Sequence, residues 1–97
     1  MKKKLYISVA VSGRDIDEAK QLAESAKAHW CDKYDVITPF EIHQHEEEEK
    51  LYAYYMGKDI EVLLGCDAIF MCPGWIYSKG CNAEYQIAKI YGLEIIG

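Results

Sequence analysis

Apolar residues along the chain alternate between short continuous runs and longer stretches with helical spacing, separated by brief polar joints. The run LYISVAV at 5–11 predicts a buried first strand. From 15 to about 30, Ile16, Ala19, Leu22, Ala23, Ala26 and Trp30 fall on one helical face, with Asp15 or Asp17 placed to cap its start. Residues 34–38 predict a short second strand closed by Pro39. A second helical region is expected from about 46 to 64, open to a break near Gly57 and stopped by Gly65. Residues 68–72 predict a third strand, continuously apolar as strands covered on both faces are. A third helix from about 80 to 91 stops at Gly92, and 93–96 form a last strand.

Strands alternating with helices imply a parallel sheet with right-handed crossovers. The expected fold is therefore α/β: a single domain over 1–97, a flavodoxin- or Rossmann-like three-layer α/β/α sandwich, its four strands in the order 2-1-3-4. Open parallel sheets bind ligands beyond the carboxyl ends of their strands, near a switch in strand order. Three loops qualify, at 11–14, 38–40 and 73–79. If the first and third strands are neighbours, the first and last loops face each other across a crevice. Both carry Ser, Gly and a basic residue before a helix, so Ser12, Gly13 and Arg14 on one side and Ser78, Lys79 and Gly80 on the other suit a phosphate or carboxylate. The same residues also serve simply to turn the chain and cap helices.

Charge narrows the partners. The formal net charge of −5, with four of the acids at 46–49, argues against a nucleic-acid polymer or an anionic membrane surface. A small molecule or another protein fits better. Three lysines follow Met1, but the apolar run behind them is short and leads into Ser12-Gly13-Arg14-Asp15, and no stretch approaches membrane-spanning length. A cytoplasmic protein is the expectation. Cys31, Cys66, Cys72 and Cys81 form no CxxC pair and read as buried or incidental thiols rather than a disulfide framework or zinc site.

The loop and helix start GWIYSKGCNAEYQIAK hold one acid, Glu84, expected in the first turn of the third helix and facing the crevice. An acid there gains from the helix dipole in any protein. It is also suited to act as a nucleophile or to stabilise a cationic centre. Asp59 and Asp67 are the acids nearest to joining it: Asp67 precedes the third strand at its opposite end and reads as a turn residue, whereas Asp59 lies on the second helical region.

Three segments, KLYISVAVSGRDIDEAKQLAE, MGKDIEVLLGCDAIFMCPGW and SKGCNAEYQIAKIYGLEII, resemble the nucleoside 2-deoxyribosyltransferase-like superfamily, particularly its small phage and bacterial branch. The most specific element is an Asp, then Leu-x-x-Cys-Asp before a strand, then Ser-x-Gly-x-x-x-Glu. The resemblance implies that Glu84 is the nucleophile at C1′ of a deoxyribosyl group and that Asp59 assists at the sugar or base. Transferases of the superfamily carry an acid six residues before the nucleophile. This chain has Ser78 there, as the similar 2′-deoxynucleoside 5′-monophosphate N-hydrolases do, where that serine contacts phosphate.

The implied function is N-glycosidic bond cleavage or deoxyribosyl transfer on a deoxynucleoside or its 5′-monophosphate, without metal or organic cofactor. A nucleotide-binding module without turnover is the alternative, and a structural or interaction protein is a third. The superfamily's hydrolases have a glycine-rich first loop, whereas Val9, Ala10 and Val11 occupy much of that stretch here, leaving Ser12, Gly13 and Arg14 as anion contacts. Trp75, with Tyr52, Tyr54 and Tyr55, can stack on a base, although tyrosines at this density also pack on helices or at subunit interfaces. Members of the superfamily assemble, so a homo-oligomer is expected. His43 and His45, close to the acids at 46–49, invite a divalent-metal reading, but a solvated loop entering a charged helix start explains the same letters.

Overall fold

In the computed structural model, which describes residues 1–11, 13–46 and 49–97, the strands are β1 (Lys3–Ser8), β2 (Tyr34–Ile37), β3 (Ala68–Met71) and β4 (Glu94–Ile96). All pair in parallel, in the order β2-β1-β3-β4. The helices are α1 (Ile16–Trp30), α2 (Pro39–Ile42), α3 (Tyr52–Leu64) and α4 (Lys79–Ile90), with a 3-10 turn at Trp75–Tyr77. This is the expected fold and strand order.

The alternation of side chains along β1 divides the core. Leu5, Ile7 and Val9 point to one face, where Ala19, Ala23 and Ala26 of α1 pack on them. Three alanines on one helical face let α1 approach the sheet closely. Tyr6 and Ala10 point to the other face, against Leu63 of α3 and Cys81 and Ala88 of α4. Helices thus cover both faces of the sheet, and the two helices that frame the crevice share one face.

Local signals set the helix ends. The Asp15 side chain accepts from the Asp17 amide at 3.0 Å to start α1, and Ser78 Oγ accepts from the Cys81 amide at 3.2 Å to start α4. Because Ser78 is the cap and Lys79 the first helical residue, Glu84 lies in the second turn of α4, and no acid occupies its first turn. The expectation of a first-turn acid is corrected accordingly. The dipole's influence fades beyond the first turn, so the Glu84 carboxylate depends on other partners.

Two further boundaries differ from those read in the sequence. Pro39 does not merely close β2; it opens α2, where Thr38 and Glu41 form a reciprocal capping box. The helix expected from about 46 begins instead at Tyr52 and runs unbroken through Gly57. Glu46 is drawn away from it, as a partner of His43 in the turn after α2. Glu47 and Glu48, counted in the expected helix start, lie outside the described residues. Among the described residues no helix is long and apolar enough to cross a membrane. All four cysteines are free, with Cys66, Cys72 and Cys81 buried and Cys31 exposed.

Candidate active site

A cavity of about 810 Å³ opens at the carboxyl end of the sheet. Its lining includes Tyr6 from β1, Val9 and Val11 just beyond that strand, Ile16 and Lys20 from α1, Phe40 from α2, and Tyr52, Tyr55, Met56 and Asp59 from α3. Ser78, Lys79, Gly80, Cys81 and Glu84 close it from the α4 side. Carboxylates therefore meet an apolar and aromatic wall, the usual composition of a small-molecule site.

Among the described residues Glu84 is the most deeply placed acid, only 5% exposed. Tyr6 Oη donates to its Oε2 at 2.7 Å, and Ser8 Oγ donates to its Oε1 at 2.7 Å. Both donors come from the face of β1 turned toward α4, two residues apart, which is the spacing that puts strand side chains on one side. Burial pushes the Glu84 carboxyl up to about 7; the Ser8 and Tyr6 hydrogen bonds pull against that rise, and the nearby charge of Asp59 adds to it. A carboxyl of this kind exchanges its proton near neutrality. Tyr6, fully buried beside it, has its phenol raised well above the ordinary value, by burial first and by Glu84 second. It therefore stays protonated as a donor.

Asp59 faces the same cavity with a different support. His43 Nε2 lies 2.7 Å from Asp59 Oδ1, and His43 Nδ1 pairs with Glu46. Burial raises the Asp59 carboxyl above its usual range, while the hydrogen bond and charge of His43 oppose the rise. Tyr55 packs edge-on against the His43 ring at 5.0 Å between centroids, fixing its plane. The Glu46 carboxyl is lowered, first by a hydrogen bond from Tyr54 and then by His43.

Of the residues singled out in the sequence, Glu84, Asp59, Ser78, Lys79 and Gly80 share this cavity. Gly80 is tightly approached, since a Cβ there would lie 3.1 Å from Tyr52 Oη. Gly13, Arg14 and Trp75 are not among the lining residues. Trp75 stacks on Tyr85 at 4.8 Å and packs on the α3 and α4 side of the core, so its ring is already engaged. Arg14 is tucked toward Gly74, and its Nη1 is buried with no hydrogen-bond partner among the described residues. Ser12 lies outside the described residues. Asp67 sits at the opposite end of the sheet, where its Oδ2 accepts from the Lys4 amide at 2.8 Å.

Tyr6, Ser8 and His43 were not singled out as partners of the two acids. The available signal was a hydroxyl pair at alternate positions of an otherwise apolar strand, pointing into the core without a local partner. Among the described residues no group of three or more His, Cys, Asp or Glu could hold a metal ion. Burial also raises the Cys81 thiol, which makes it a poor thiolate nucleophile beside Glu84.

A family model described as "Domain of unknown function (DUF4406)" matches residues 3–97. The chain belongs to the DUF4406 family. This DUF4406 domain thus places a neutral-range carboxyl and a histidine-supported aspartate in one crevice. No curated protein matches the chain.

Proposed function

We propose that this domain cleaves the N-glycosidic bond of a deoxynucleoside or its 5′-monophosphate, by hydrolysis or by transfer to a second base. The observation that carries this reading is the Glu84 carboxyl on the wall of an aromatic cavity, with Asp59 facing the same space. Breaking a bond from C1′ to a base nitrogen builds positive charge on the sugar. A close carboxylate stabilises that charge and captures C1′ as an ester, the logic that retaining glycosidases use. Glu84 is the nucleophile in this scheme. Asp59, whose carboxyl burial raises above its usual range, donates to the departing base and later takes a proton from the incoming water.

The remaining lining suits the rest of such a substrate. Phe40, Tyr52 and Tyr55 supply flat faces for a base. Ser78, Lys79 and Gly80 at the start of α4, with Lys20 across the cavity, favour an anionic 5′ end. The scheme needs no metal or organic cofactor. A binding module without turnover is the second reading, favoured by the engagement of both Glu84 oxygens in hydrogen bonds. Incubation with each deoxynucleoside and each 5′-monophosphate, followed by chromatography of free base, separates the two. Base release supports the enzyme, and saturable binding without release supports the module.

A further inference from the structure

The two hydroxyls on Glu84 are not equivalent. Tyr6 lines the cavity and Ser8 does not, although each donates to one oxygen of the same carboxylate at 2.7 Å. The difference lies in the lining alone, since Tyr6 and Ser8 are equally buried. Ser8 is fully buried. We propose that Oε2 is the attacking oxygen and that Ser8 is a positioning residue, which holds Oε1 through both halves of the reaction.

The proposal rests on the glycosidic reading above. In the first half, a lone pair of Oε2 forms the bond to C1′ as the bond from C1′ to the base breaks, its electron pair leaving with the base and a proton arriving from Asp59. Oε2 becomes the ester oxygen. Oε1 becomes the ester carbonyl oxygen, which keeps lone pairs for Ser8. In the second half, the oxygen of water bonds to C1′, its proton goes to Asp59, and the pair of the C1′–Oε2 bond returns to the carboxylate. A donor on Oε1 stabilises the carboxylate as it departs, just as it favours the ionised acid beforehand.

Among the described residues, the groups that face Glu84 come from three elements. Tyr6 and Ser8 reach it from β1, Asp59 acts on it from α3, and Cys81 is near it on its own helix. Ser8 is not itself a lining residue, although its hydroxyl also acts on Cys81, which is.

The test uses the full chain with 13C-labelled glutamate carboxyls, Glu84 being assigned by its loss in Glu84→Gln. Ser8→Ala is expected to raise the Glu84 titration midpoint by about one unit, and Ser8→Thr to restore it. With substrate, Ser8→Ala should lower kcat more than it changes KM, move the acidic limb of the pH profile upward by the same amount, and let the glycosyl ester accumulate in the intact mass. An unmoved midpoint in folded Ser8→Ala overturns the role of Ser8 whatever the activity. A moved midpoint in a protein whose wild type releases no base overturns the glycosidic reading instead, and with it the stepwise part of the proposal. If Ser8→Ala does not fold, Ser8→Cys, which keeps the volume but weakens the donor, gives the same readout.

Discussion

His43 Nε2 stands 2.7 Å from Asp59 Oδ1, joining the end of α2 to the middle of α3 across the wall of the cavity. This contact couples a loop boundary to the acid assigned to proton transfer. It also holds Asp59 below the titration range that burial alone would give it. His43→Ala should therefore raise the Asp59 titration further and shift the basic limb of any pH profile upward. The shift is read by repeating the base-release assay from pH 5 to 9; an unmoved profile with activity retained would exclude a role for His43.

The pH dependence of stability follows from Glu84. Its carboxyl is raised in the folded protein to about 7 from an ordinary value of 4.5. The folded state therefore binds the proton more tightly than the unfolded chain. The stability this gives is complete below about 4.5 and lost as the pH rises through 7. Glu84→Gln removes that dependence. Urea midpoints of both proteins at pH 5 and pH 8 should show wild type losing ground to the variant on going to pH 8, and a constant difference would refute the perturbed carboxyl.

Thr38 is buried and caps α2, its Oγ1 accepting from the Glu41 amide at 3.3 Å while Glu41 returns a contact to the Thr38 amide. Thr38→Ala is expected to cost about 0.5–2 kcal/mol. Because α2 carries Phe40 and leads to His43, the loss should include weaker ligand binding. Denaturant melts and a binding titration on the same variant check both.

Gly74 has φ +88°, and a Cβ there would lie 2.9 Å from Arg14 Nη2. The guanidinium end is flexible and can give way, so the cost of Gly74→Ala is mainly the left-handed backbone, about 1–2 kcal/mol. A lowered melting temperature of that size is expected. Gly74→Asn, which tolerates this backbone region better, should recover part of it.

The sheet was legible because β1 and β3 are written largely as apolar runs and β2 and β4 as short apolar stretches between turn signals, and the faces of α1 and α4 as spaced sets of apolar residues. The helix boundaries were less so. Thr38-x-x-Glu41 carries the capping-box pattern, yet Pro39 next to it reads first as a strand stop. Glu46 reads as a helix-start acid until the fold offers it His43. Glu84 and Asp59 could be singled out as acids near the crevice, but their partners could not. Tyr6 and Ser8 are 78 and 76 residues away from Glu84 along the chain, and only the pairing of β1 with β3 brings them to α4. Likewise, the position of Arg14 against Gly74 and the stacking of Trp75 on Tyr85 depend on contacts between segments that local pattern does not encode.

The central claim is that Glu84 attacks C1′, and the rate of free-base release by Glu84→Gln tests it most directly. Gln keeps the shape of the side chain but not its charge or its nucleophilic oxygen. With the substrate that wild type cleaves best, release should fall by about 10³-fold or more, while the variant still binds that substrate and still melts cooperatively. Undiminished base release by a well-folded Glu84→Gln protein would contradict the assignment.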